Sequence, residues 1–172
     1  MKRIVITGAE STGKTTLAQA LSAHFNEPYS EEYVRSFVDS INRTILKSDF
    51  NKIAEGQRAL EELARNQADK LVFHDTNILS NLVYGRHYLK IDAEDLEARL
   101  NQEPYDLYLF CQDDIPWMPD GIQRDSAQAR KHLQMQFSEA LSILKANTVL
   151  ISGAPEARLK LSINAVLACL KI

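Results

Sequence analysis

The run GAESTGKTT, from Gly8 to Thr16, contains Lys14 and Thr15 at a spacing that suits phosphate chemistry. It matches G-x-x-x-x-G-K-[ST] in full. Gly8 and Gly13 let the backbone wrap an anion with its N–H groups turned inward, and a helix start behind them adds roughly half a positive charge. Lys14 can reach the outer phosphates of a nucleotide, and the Thr15 hydroxyl can bind Mg²⁺. Such a cradle implies a nucleotide and a metal. It leaves the reaction open.

Acids placed near the cradle bear on the reaction. The run VFHDT places Asp75 at the end of an apolar strand, where a metal- or water-orienting carboxylate would sit; the alternative is that Asp75 caps the next helix. His74 beside it reads as a packed, hydrogen-bonded residue. Glu31 and Glu32 lie near a second expected strand end, with Arg35 one turn after Glu32. An acid there could take the proton from an acceptor hydroxyl. Arg35 could fix that acid or clamp a phosphate. The plainer reading is a solvated helix start. Glu10, inside the cradle, could be a further acid.

The segment DDIPWMPDGIQRD, Asp113 to Asp125, holds the only tryptophan, Trp117, between two prolines. Its ring could anchor the loop on the core or present a flat face for stacking a heterocycle. Arg124 and Arg130 follow. An arginine carried by a closing loop can neutralise charge on a transferred group; the alternative is two surface arginines. A lid is therefore expected around residues 112–131.

These residues need elements to place them. Ile4 to Thr7 is a β-branched run, expected as a buried strand. KTTLAQALSAHF carries apolar residues at helical spacing and ends before Asn26-Glu27-Pro28. Tyr29 to Ser30 fits a short strand and Glu31 to Ile41 a helix. Asp49 is expected to cap a helix running to about Asp69. Leu71 to Thr76 and Asp106 to Cys111 read as strands, with helices over 76–89 and from an Asp92 cap to about Asn101. Gln112 to Asp125 reads as a loop, Ser126 to Ala146 as a helix, TVLIS as a strand and Pro155 to Leu170 as a helix. Alternating strands and helices predict an α/β fold: a mostly parallel five-stranded sheet with helices on both faces. Ligands in such sheets bind beyond the carboxyl ends of the strands.

The 172 residues fit a single domain, 1–172, with 45 % hydrophobic and 25 % charged residues. A net charge of −3 argues against a dedicated nucleic-acid binder, so no nucleic-acid partner is expected. No apolar run approaches a membrane span, and RIVIT is too short for a signal-peptide core. Cys111 and Cys169 share no metal-ligand spacing and are expected to be buried packing residues, which suits a reducing cytoplasm.

The set GAESTGKTT, EEYVR, VFHDT, YDLYLFC and PWMPDGIQRD, in this order, resembles the nicotinamide riboside kinase domain of the bacterial NadR family, from Ile4 to about Ile151. The resemblance implies a three-layer P-loop NTPase of the nucleoside-kinase type. It implies ATP and Mg²⁺ as cofactors and phosphorylation of the ribose 5′-hydroxyl of nicotinamide riboside, giving nicotinamide mononucleotide. On the nucleotide side it implies Gly8, Glu10, Ser11, Thr12, Gly13, Lys14, Thr15, Thr16 and Arg130, with Thr15 and Asp75 at the metal. On the acceptor side it implies Glu32, Tyr33, Arg35, Asp75, Trp117 and Asp120. Lys14, Glu32, Asp75 and Arg124 are the expected catalytic set. Members carry an adenylyltransferase domain ahead of this one; this chain opens at its P-loop strand. The alternatives are a kinase of another nucleoside or small metabolite, and a P-loop regulatory ATPase acting through a protein partner.

Overall fold

The computed structural model describes residues 1–91, 94, 98, 100, 101, 104–116 and 127–171. Five strands lie in it: β1 (Lys2–Thr7), β2 (Tyr29–Ser30), β3 (Leu71–Asp75), β4 (Leu107–Cys111) and β5 (Thr148–Ile151). The helices are α1 (Lys14–Phe25), α2 (Tyr33–Ile41), α3 (Phe50–Gln67), α4 (Ile78–Tyr84), α5 (Ala127–Ile143) and α6 (Pro155–Leu170). The strands form one parallel sheet in the order β2-β3-β1-β4-β5. β1 lies in the centre, with Ile6 opposite both Asp75 and Leu109. The ends of β1, β3 and β4 therefore open along one edge of the sheet.

Strand alternation divides the core into two layers. Ile4 and Ile6 face α1 and α6, packing with Leu17, Ala18, Leu21, Phe73, Leu109 and Val166. Val5, Tyr108 and Phe110 face the other way, against α3, α4 and α5 through Phe50, Leu79, Leu133 and Phe137. Helices cover both faces of the sheet.

Most boundaries fall within two residues of expectation. The helix expected over 76–89 is instead α4 followed by a wider π-turn at Gly85–Leu89. Asp49 precedes α3, but its carboxylate does not cap it. It accepts from Leu46 N–H (2.9 Å) and pairs with Arg43 (2.6 Å), closing the 3₁₀ turn before the helix. The Asp92 cap lies outside the described residues. Cys111 is fully buried, as expected, whereas Cys169 is only partly buried.

Candidate active site at the strand ends

The cradle loop leaves β1 at Gly8 and enters α1 at Lys14. Gly8 has φ +136°, and a Cβ there would lie 2.7 Å from the carbonyl oxygen of Cys111. No side chain fits between the loop and the end of β4. Inside the loop, Thr12 Oγ1 and Lys14 Nζ both donate to Ala9 O at 2.8 Å. Ala9 N–H donates to Gln134 Oε1 (3.0 Å), and Gln134 Nε2 donates to Cys111 O (2.9 Å), so one α5 amide ties the loop to β4. Ser11 holds φ +53°, left-handed backbone that curls the loop. Glu10 is buried, and neither of its carboxylate oxygens has a partner among the described residues. Thr16 sits exposed on the first turn of α1.

Asp75 stands beside this loop at the end of β3. Thr15 Oγ1 donates to Asp75 Oδ2 at 2.6 Å, while Asp75 Oδ1 is buried with no partner among the described residues. Burial above all, and then the charge of Glu32, push the Asp75 carboxyl up to about 6; Lys14, the Thr15 bond and Arg35 act against that rise. The same balance identifies Lys14, Glu32 and Arg35 as the charges that Asp75 feels. Asn77, not Asp75, caps α4, its Oδ1 accepting from Leu79 N–H (3.2 Å). Thr76, with φ +70°, turns the chain so that Asp75 can face the loop. His74 is hydrogen-bonded to Ser30 Oγ (2.8 Å), and burial holds its pKa down to about 3. It is a neutral packing residue.

The pair Thr15 Oγ1 and Asp75 suits Mg²⁺. This ion commonly takes one or two protein oxygens plus phosphates and water, and the unpartnered Oδ1 supplies a free acceptor. Among the described residues no cluster of three or more His, Cys, Asp or Glu side chains could hold a metal.

Glu32 immediately precedes α2, and Arg35 Nε donates to Glu32 Oε2 at 2.9 Å. Arg35 thus fixes the acid. Tyr33 N–H donates to Gln57 Oε1 (2.9 Å), and its ring occupies the space that a Cβ on Gly56 would need. Gln57 Nε2 donates to Glu31 O (3.4 Å). The middle of α3 therefore sets the start of α2, and with it Glu32.

Arg130 is buried rather than on the surface. Its NH1 donates to Ser11 O (3.3 Å) and Ile115 O (3.0 Å), and its NH2 to Asp113 O (3.0 Å) and Ile115 O (3.1 Å). It touches the cradle through backbone carbonyls. Trp117, Asp120 and Arg124, expected in the lid, lie outside the described residues. Gly8, Lys14, Thr15, Asp75, Glu32, Arg35 and Arg130 are thus gathered at one sheet edge. Gly56, Gln57 and Gln134, which support them, carry no local motif that marks them in the sequence. The hydrogen-bond partners of Gln57 and Gln134 are 23 to 125 residues away along the chain.

The chain is 28 % identical over 146 residues, 82 % of its length, to the trifunctional NAD biosynthesis/regulator protein NadR of Escherichia coli (strain K12). It is equally similar to NadR of Salmonella typhimurium (strain LT2). It covers 36 % of each of these relatives, so it spans about a third of their length. Among solved structures it is similar to NadR protein in complex with NR, with a TM-score of 0.77 and 26 % identity over 99 % of this chain and 52 % of that one. A deoxyadenosine kinase from M. mycoides, 11 % identical with a TM-score of 0.69, shares the fold. A family model described as an AAA domain matches residues 3–158. That match spans the cradle, both acids and the sheet from Arg3 of β1 to the end of β5, and the chain belongs to the AAA domain family.

Proposed function

We propose that this chain transfers the terminal phosphoryl group of ATP to the ribose 5′-hydroxyl of nicotinamide riboside, forming nicotinamide mononucleotide and ADP. One observation carries the reading. A second acid, Glu32, held by Arg35, stands close enough to Asp75 for its charge to raise the Asp75 carboxyl. A P-loop that only binds a nucleotide needs one acid for the metal, whereas a second acid suits deprotonation of an attacking hydroxyl, and the likeness to NadR in complex with NR supports a nucleoside as its source. The likeness to NadR in complex with NR, and to NadR in complex with NAD and AMP-PNP, supports the acceptor and the donor.

The residues divide the work. The loop N–H groups and Lys14 hold the phosphates, Lys14 Nζ exchanging Ala9 O for phosphate oxygen. Thr15 and Asp75 would hold Mg²⁺, which when bound neutralises charge on the outer phosphates. Glu32 takes the proton from the attacking hydroxyl as the new P–O bond forms and the bond to ADP breaks. Arg35 keeps the Glu32 carboxylate oriented. Arg124 would counter the charge on the transferred group, and Trp117 and Asp120 would receive the pyridinium ring and its sugar. The reaction, with ATP and Mg²⁺ as its needs, belongs in the cytoplasm. No helix among the described residues is long and apolar enough to cross a membrane.

A panel of nucleosides, nicotinamide riboside among them, incubated with ATP and Mg²⁺ tests this. The expected product is the 5′-monophosphate of nicotinamide riboside, identified by mass. A different phosphorylated nucleoside would move the acceptor assignment. No acceptor-dependent ATP consumption would favour the regulatory ATPase.

A further inference from the structure

Arg158, on α6, lies far in sequence from the cradle, yet it is buried against it. Its NH1 donates to Thr12 O at 2.9 Å, its NH2 to Gln112 O at 2.9 Å and to the Asp114 carboxylate, and its Nε to Gly153 O at 2.8 Å. Asp114 Oδ2 in turn accepts from Gly153 N–H at 2.6 Å. One guanidinium thus joins the loops that follow β1, β4 and β5. Arg130, from α5, joins the loops after β1 and β4, donating to Ser11 O and to the carbonyls of Asp113 and Ile115.

The two contacted loop carbonyls are consecutive, and that has a geometric consequence. In a planar trans peptide the C=O and the N–H that share it point in opposite directions. Ser11 C=O shares its peptide with Thr12 N–H, and Thr12 C=O shares its peptide with Gly13 N–H. Turning both carbonyls outward onto buried guanidinium groups turns two successive N–H groups away from the arginines. The left-handed backbone at Ser11 and Gly13 (φ +53° and +80°) belongs to the same curl. Successive inward N–H groups of this kind make an anion nest.

We infer that Arg158, together with Arg130, is a positioning residue of the phosphate cradle: it acts through the loop backbone, holding the Thr12–Gly13 peptide so that its N–H faces the phosphates. Arg158 needs no contact with nucleotide for this, and at least four hydrogen bonds of its guanidinium are committed to the protein. The inference rests on the reading of the loop as a phosphate cradle and is independent of the acceptor.

The test compares wild type with Arg158→Lys and Asp114→Ala, using calorimetric binding of AMP-PNP and of inorganic tripolyphosphate without any acceptor. Lysine keeps the charge but cannot serve several carbonyls at once. The expected result is a loss of about tenfold in affinity for Arg158→Lys, equal for both ligands, because the cradle sees only phosphates. Asp114 is partly exposed, so Asp114→Ala should fold even if Arg158→Lys does not, and its expected loss is about threefold for both ligands. Unchanged affinity in a folded variant, with only a lower Tm, would overturn the inference. So would a loss confined to AMP-PNP, which would place the effect at the adenosine end. If the wild type itself binds neither ligand, the nucleotide reading fails and takes the inference with it.

Discussion

Asp75→Asn should stabilise the protein at neutral pH while abolishing its turnover. The carboxyl of Asp75 rises from an ordinary 3.8 to about 6 because it is buried beside Glu32. A group with a raised folded-state pKa binds its proton more tightly in the folded chain. Its contribution is fully present below the unfolded value of 3.8 and is lost as pH rises through about 6. At pH 8 the ionised Asp75 therefore costs about 3 kcal/mol of stability, and about half of that at pH 5. Asparagine cannot ionise, so it removes this cost; its weaker bond with Thr15 gives back about 1 kcal/mol. The net gain, near 2 kcal/mol at pH 8, should raise Tm by about 5 °C for a chain of this size. At pH 5 the gain should fall to about 0.5 kcal/mol. Glu61, whose buried carboxyl also rises to about 7, shifts stability in the same sense in both proteins and cancels in the comparison. Differential scanning calorimetry of both proteins at the two pH values, without nucleotide, reads the difference. A Tm for Asp75→Asn that is lower than wild type by the same amount at both pH values would refute the reasoning. Asp75 would then be a structural acid and not one held in an unfavourable ionised state for use.

Three further outcomes follow from the site. Gly8→Ala should destabilise the chain by about 2 kcal/mol or more and remove nucleotide binding, since the new Cβ meets Cys111 O and φ is +136°; chemical denaturation and AMP-PNP titration check it. Excess Mg²⁺ should partly restore Asp75→Asn but not Glu32→Gln when kcat is compared, and equal rescue of both would remove Glu32 as the base. Trp117→Ala should raise the KM for the acceptor about tenfold or more with little change for ATP; equal effects on both would end the stacking role.

The cradle is the most legible part of the sequence because its chemistry is local. Gly8, Gly13, Lys14 and Thr15 lie within eight residues, and the geometry that they need is written into their side chains. Asp75 and Glu32 were legible by another route: Asp75 ends the apolar run that begins at Leu71, Glu32 follows the short expected strand Tyr29 to Ser30, and parallel sheets bring such ends together. What the sequence could not show was how these parts are held. Gln134 serves Ala9 and Cys111 across gaps of 125 and 23 residues, and Gln57 sets Tyr33 from 24 residues away. A glutamine on a helix has no spacing signature, because its amide can serve any backbone it meets. Arg130 reads as a surface or lid residue for the same reason; only the fold shows it buried on carbonyls. Asp49 misleads in the opposite sense. It stands where a cap belongs, but Arg43 lies six residues earlier and claims its carboxylate, and that pairing holds the Asp49 pKa down to about 2.

The central claim is that the phosphoryl group is passed to a nucleoside hydroxyl. Its most direct measurement is mass spectrometry of nicotinamide riboside incubated with ATP, Mg²⁺ and the protein, beside the Glu32→Gln variant. The wild type should give nicotinamide mononucleotide and ADP in equal amounts, with a much slower appearance from the variant. ADP formed at the same rate with and without nicotinamide riboside, and no phosphorylated nucleoside, would contradict it.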